Sequence, residues 1–233
     1  MKIKTQNIIC ILSFIFVFNA SGIAAETIAV VLKVKGTVAL QKSNDKTSGV
    51  KLTRGYRLEN GDKLVTGKKG YAAVRFVDDA SLVRIRANST CIIRGQKEQN
   101  KVLKNVYLEV GTILARVTKQ KGKFEISTPT SVASVKGTAL IADQKPIDIG
   151  GKTVYFGLEG IVELSNSEGK ALLHADETGE VEPNKAPTVR KTIKGEVPDF
   201  DQLETNEDLF EFEFENRSGQ KKVLQFKAVK KEE

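Results

Sequence analysis

The sequence predicts an all-β fold, and three observations carry that expectation. Glycine and Asx residues punctuate the chain at short intervals, among them Gly36, Gly55, Gly61, Gly67, Gly70, Asp78-Asp79, Asn88, Gly95, Gly111, Gly122 and Gly137. The runs between them are rich in Val, Ile, Thr, Leu and Phe, as short strands joined by turns require. Beyond the N-terminal segment no window sustains the i, i+3, i+4, i+7 period of an amphipathic helix. Strands of about four to seven residues suit either a twisted sandwich or a short β-solenoid. Sequence alone leaves those two open.

The first 25 residues stand apart. Lys2 and Lys4 precede the apolar run Ile8 to Phe18, and small residues follow through Ala25. That is the layout of a secretory signal peptide, with cleavage after Ala24 or Ala25. A membrane span needs about 20 apolar residues, so the run is too short to be one, and no later segment is long enough. The expected mature chain is therefore exported, to the periplasm or outside the cell, and carries no transmembrane segment. Removing Lys2 and Lys4 lowers the net charge from +8 to +6. Export makes nucleic acid an unsuitable partner for this basic chain. Anionic cell-wall polymer remains open, beside the plain reading of a lysine-rich soluble surface. Cys91 is the one cysteine left, which rules out an intramolecular disulfide; its apolar setting predicts a buried, inert thiol.

Four stretches follow in order. Residues 1–25 are the signal peptide, and 26–165 form the main β domain. Within it period-two alternation is clearest at Ala72-Val74-Phe76, Leu108-Val110, Ile113-Ala115-Val117 and Phe124-Ile126. Alternation of that kind buries one face of each strand. Residues 166–200 hold Pro183, Pro187 and Pro198 among charges and read as an extended linker. Residues 201–233 recover order: Phe210, Phe212 and Phe214 alternate with glutamates, 216–219 is a turn, and 222–229 is a second strand. A lone hairpin is barely stable in water, so that phenylalanine face is a candidate interaction surface.

The stretch Thr128 to Ala142 is the most distinctive. Thr128-Pro129 opens a strand, alternating residues follow, and Gly137-Thr138 steps into a second apolar strand. Pro suits a strand's entry because it lacks an N–H, and a mid-pattern Gly marks a bend or close approach. This signature resembles that of the FecR domain. Further resemblances fall in order along roughly Ala29 to Leu164. They include the opening strand around Gly36, the turn Leu58-Glu59-Asn60-Gly61-Asp62 to Gly67, and the hairpin Ala72 to Ile85 with Asp78-Asp79. They continue at Gly111-Thr112-Ile113-Leu114-Ala115 and at the closing strand after Glu159-Gly160. Asp79-Ala80 stands where the family pattern has Asp-Gly. The resemblance implies an extracytoplasmic β-rich module for binding or signalling. Family members that signal to a sigma factor add a cytoplasmic segment and a membrane helix; neither is seen here, so a freestanding exported form is expected.

Residues for chemistry are scarce. His174 is the one histidine, which excludes histidine-based triads and multi-histidine metal sites built by this chain alone. Gly150-Gly151-Lys152-Thr153 echoes a phosphate-binding loop, but Pro146 stands where the loop needs its first glycine. Asp78, Asp79 and Glu159 are too few for a calcium site and read as turn caps. The expectation is a non-enzymatic module without a cofactor or metal, whose partner is an envelope protein or a cell-wall polymer. The oligomeric state stays open.

Overall fold

Asp and Gly corners break most of this chain into short strands, and the chain passes back and forth between two stacked layers. The structure is a computed structural model that describes residues 26–43, 45–98, 101–118, 122–200, 209–215 and 221–227. The expected signal peptide, 1–25, lies outside the described residues. The strands are β1 (Thr27–Lys35), β2 (Val38–Lys42), β3 (Asp45–Lys51), β4 (Arg57–Glu59), β5 (Asp62–Thr66) and β6 (Tyr71–Phe76). Next come β7 (Leu82–Ile85), β8 (Thr90–Glu98), β9 (Lys101–Arg116), β10 (Phe124–Ser127), β11 (Val132–Val135) and β12 (Ala139–Gln144). A single 3-10 turn at Ile147–Ile149 precedes β13 (Thr153–Glu159), β14 (Ile161–Asn166), β15 (Gly169–His174), β16 (Glu177–Val181) and β17 (Thr188–Lys191). The fold is all-β, as the alternation predicts.

Hydrogen bonding joins β1 to β17 in one continuous sheet that folds over on itself. The first layer runs β4-β1-β6-β7-β9-β12-β13-β16-β17. The second runs β3-β2-β5-β8-β9-β10-β11-β14-β15. Strand β9 is central to both: its first part pairs with β8 and β10, its last part with β7 and β12. All of these pairings are antiparallel except β9–β10. That pattern decides the open question in favour of a two-layered sandwich, because a solenoid stacks parallel strands.

The layers meet through the inward residues of each alternating strand. Phe76 of the first layer and Phe124 of the second form an edge-to-face pair, centroids 5.5 Å apart. Ala29, Val31 and Val74 face Leu40, Leu64 and Ile93 in the same buried cluster. Most strands bury alternate residues, but β6 and β12 are buried at five of six positions. The outer face of the first layer is therefore covered too.

One cover is a strap within the stretch that the sequence predicts to be a linker. Residues 166–200 are not irregular: β15, β16 and β17 add strands to both layers and extend the sandwich past residue 165. Pro183 and Pro187 sit in the turn between β16 and β17. Charges on these strands hid the pattern, since edge strands carry charge outward. Beyond β17, Phe200 packs on Leu114, Ile141 and Phe156, and the Arg86 guanidinium lies 5.4 Å over its ring.

Glu196 ties the strap down. Its carboxylate accepts from Arg190 Nη1 and Nη2 at 2.9 and 2.8 Å, from Thr178 Oγ1 at 2.7 Å and from the Ile193 N–H at 2.7 Å. Arg190 first, then Thr178 and Ile193, hold the carboxyl at about 2, below its ordinary 4.5. A depressed folded value means the contribution is full above 4.5 and is lost as pH falls through about 2. Amide exchange over 193–200 should accordingly stay slow at neutral pH and accelerate, after correction for intrinsic rate, across that acid window. In Glu196→Gln it should already be fast at neutral pH. Equal protection in the two proteins would release Glu196 from this role.

Strands β18 (Leu209–Glu215) and β19 (Lys221–Lys227) pair antiparallel in a separate two-stranded sheet, with Phe210 opposite Phe226 and Phe212 opposite Leu224. This is the expected C-terminal hairpin, its second strand starting and ending slightly earlier than expected. Its turn and the packing of Phe210, Phe212 and Phe214 lie outside the described residues.

Candidate functional site

The motif residues fall at several turns, at both ends of the strands, where the chain changes layer or direction. At the first, Gly36 takes φ +62° between β1 and β2, and a Cβ there would overlap the Lys69 carbonyl. Only glycine fits so close an approach. The Gly67 N–H donates to the Thr37 carbonyl at 2.9 Å, and Gly67 itself has no positive φ. At the opposite end of β2 and β5, the turn from β4 to β5 passes through Gly61 at φ +87°. Asp62 then points inward, fully buried, and its Oδ2 accepts from the Glu59 N–H at 3.0 Å and Lys42 Nζ at 3.3 Å. Its Oδ1 is buried without a partner.

The outward residues of this corner form a groove of about 570 Å³ on the second layer, lined by Gln41, Lys42, Ser43, Asn60, Gly61, Lys63, Ile92 and Arg94. Register explains the lining: Gln41, Lys63 and Ile92 stand opposite one another on β2, β5 and β8. Three of the lining residues are cationic. Lys42 Nζ contacts Glu59 at 2.9 Å and lies 5.3 Å from the Tyr56 ring centroid. Burial opposes its charge, but Glu59 and Asp62 outweigh that and hold its ammonium above its usual value. Lys63 reaches Glu109 at 2.7 Å, and the Arg94 guanidinium stacks 5.2 Å from the Tyr107 ring. Lys42 is answered by Glu59 and Asp62 and Lys63 by Glu109, so the groove is a polar shelf of paired charges and side-chain amides, with the Arg94 guanidinium on Tyr107 beside them.

The second corner is the β6–β7 turn. Asp79 Oδ1 accepts the Ser81 N–H at 2.9 Å, an Asx turn. Ala80 adopts φ +62°, a left-handed geometry that costs a residue with a Cβ about 1–2 kcal/mol. Lys104 of β9, its side chain fully buried, crosses from the other layer to Asp78 Oδ2 at 2.6 Å and Asp79 Oδ2 at 2.5 Å. Its ammonium also lies 5.6 Å from the Phe76 ring centroid. Two carboxylates and one ammonium therefore latch the layers together.

The third corner is the Thr-Pro turn before β11. Thr128 Oγ1 accepts the Ser131 N–H at 3.1 Å and meets Thr153 Oγ1 at 2.9 Å; Thr130 Oγ1 meets Thr153 Oγ1 at 2.5 Å. Thr153 donates to the Gln144 side chain, whose Nε2 donates to the Gly151 carbonyl at 2.9 Å. Ser131 meets the Tyr155 hydroxyl at 2.9 Å, and burial pushes that phenol up to about 12. Pro129 is exposed at the apex. The network lets polar side chains join the layers inside the core with their hydrogen bonds made. Gly137 at φ +64° carries the chain across to β12, and Gly160 at φ +73° turns β13 into β14 beside it. Thr138 is buried there with its Oγ1 unpartnered.

The remaining chemically suggestive residues stay dispersed. Glu159 pairs with Arg116 at 3.1 Å on the surface, so its carboxylate and those of Asp78 and Asp79 are committed to different cations. No group of three or more His, Cys, Asp or Glu converges among the described residues. Cys91 is buried on the inner face of β8, and burial pushes its thiol up to about 12. His174 is exposed on β15 and Lys152 pairs with Glu180 across strands. Among the described residues no helix is long and apolar enough to cross a membrane.

Sequence reasoning missed Lys104 and the groove cations Lys42, Lys63 and Arg94. Lys63 carried a readable cue: it follows the Gly61-Asp62 turn, on the outward phase of β5. Lys104 carried none, since its partners lie 25 and 26 residues away.

The corners and the two layers they join define an all-β module, and part of it matches a known family model. Residues 62–163, somewhat less than half of the chain, match the family model described as FecR protein. Strands β1 and β2 precede the match yet pair with β6 and β5, inside the same layers. Two crystal structures of a candidate anti-sigma factor from Parabacteroides distasonis ATCC 8503 are similar, both at TM-score 0.48, with 15% and 16% identity. The aligned part covers 56% of this chain and 59% of each of theirs. No curated protein shows a comparable match.

Proposed function

We propose that this chain is a non-enzymatic, exported envelope module in which the FecR domain supports binding and signalling, and that its groove receives an extended acidic segment of an envelope protein. The observation that carries this reading is the groove's position. It is built on the Gly61-Asp62 turn, where the stretch matching the FecR model begins, and three cations and two amides line it. The motif residues themselves are used in joining the layers, so what the corner offers a partner is the outward surface beside them.

A second reading rests on the same cations: an anionic cell-wall polymer could lie along the shelf, held by charge. The two are separated by incubating the mature protein with envelope protein fractions and with isolated polymer, each at low and high salt. Lys63→Glu/Arg94→Glu serves as the groove variant. Salt-sensitive capture of a protein that the variant loses supports the first reading. The same pattern with polymer alone supports the second. Binding unaffected by the variant removes both, and polymer turnover abolished by one substitution would overturn the non-enzymatic assignment.

A further inference from the structure

The cluster of Lys104, Asp78 and Asp79 shares no residue with the groove, and it holds an amine against two carboxylates inside the protein. Lys104 is 2% exposed. Its Nζ meets Asp78 Oδ2 at 2.6 Å and Asp79 Oδ2 at 2.5 Å. The buried rings of Phe76 and Phe124 wall the site. Asp79 is also fixed from two other sides. Its Oδ1 accepts the Ser81 N–H at 2.9 Å, and its main-chain carbonyl accepts from Thr118 Oγ1 at 2.8 Å.

An ammonium held on a carboxylate carries the atoms of an amide and one water. In bulk water the two stay ions. Here both partners are already placed, and orientation of that kind is worth an effective concentration on the order of 10⁵–10⁸ M. Condensation also removes one charge of each sign from a buried site, where ions are costly to keep. The two carboxylates are not equivalent. The Ser81 N–H at Asp79 Oδ1 is placed to stabilise the charge that grows on that oxygen during attack at Cγ. Asp78 has no such donor and is the more exposed of the two, which suits a proton carrier.

We infer that Lys104 and Asp79 close an isopeptide bond between the two layers, with Asp78 carrying the protons. The Nζ–Cγ bond forms and the Cγ–Oδ2 bond of Asp79 breaks. Two of the three ammonium protons pass by way of Asp78 to that Oδ2, which leaves as water. The amide keeps the third, and Asp78 ends as the carboxylate it began. The event happens once per chain, without turnover. The ionic latch is its starting state, so the stability of the latch is that of the chain before the bond closes.

The intact mass of the full mature chain, followed during incubation at neutral pH, tests this. The chain should become one water lighter than its sequence requires. Trypsin should then release residues 76–84 and 102–116 as one branched peptide, uncut after Lys104, with fragmentation placing the link on Asp79. Lys104→Arg should keep the full mass, and Asp78→Ala should lose water at least tenfold more slowly. The native chain alone decides the bond, whether or not a variant folds. Full mass and separate peptides after prolonged incubation would overturn it. So would a lost water without the branched peptide, the mark of a cyclic imide in the Asp78-Asp79-Ala80 turn. A link placed on Asp78, or undiminished water loss in Asp78→Ala, would overturn the roles given to the two carboxylates.

Discussion

Lys104→Met should cost the domain about 3–5 kcal/mol, the usual consequence of removing one partner from a buried ionic cluster. The ammonium it deletes is fully buried between Asp78 and Asp79, whose side chains are 24% and 12% exposed. Two carboxylates would then face each other across a partly dry turn with the nearest cation gone. Against a typical domain stability of about 5–15 kcal/mol the loss is large. Chemical denaturation of the variant checks it. The triple change Lys104→Met/Asp78→Asn/Asp79→Asn should recover most of the difference, because no uncompensated charge remains. A single variant as stable as the native chain would mean that the latch does not join the layers.

Gly111→Ala should be comparably severe, on the order of 3–5 kcal/mol, for a reason of shape rather than charge. Gly111 holds φ +101° in mid-β9, where the strand passes from one layer to the other. An added Cβ would lie 2.5 Å from Ser89 Cα and 2.6 Å from its Cβ. Ser89 cannot retreat easily: it is buried, its N–H donates to Thr66 Oγ1 at 2.8 Å, and its Oγ accepts the Thr112 N–H at 3.0 Å. Gly55→Ala is the natural control, with φ +82° and nothing within 4 Å of an added Cβ. It should show only left-handed strain, about 1–2 kcal/mol. Equal losses in the two variants would leave no part for the Ser89 contact.

Both predictions concern β9, and its dual membership is what unites the molecule. A 16-residue strand that stayed in one layer would leave two sheets joined by side chains alone. Bending at Gly111 makes one hydrogen-bonded sheet of both. Lys104, on the first half of β9, reaches a turn of the opposite layer and ties the halves again by side chain.

The sequence by itself determined the class of fold, the FecR resemblance, the C-terminal hairpin and the positions of the corners. Each of these is written in local chemistry. Alternation with period two needs only neighbours to be read, as at Ala72-Val74-Phe76, and Gly61 or Thr128-Pro129 mark turns wherever the strands finally go. Tertiary structure alone decided the rest. Which layer each strand joins, and that β15 to β17 continue the sandwich rather than trail from it, depends on pairing partners far along the chain. That Lys104 meets Asp78, that Gln41, Lys63 and Ile92 align into a groove, and that Phe200 returns over Leu114 depend on the same distant register. Such contacts form between residues that are strangers in sequence, and no local period or motif encodes the partner's address.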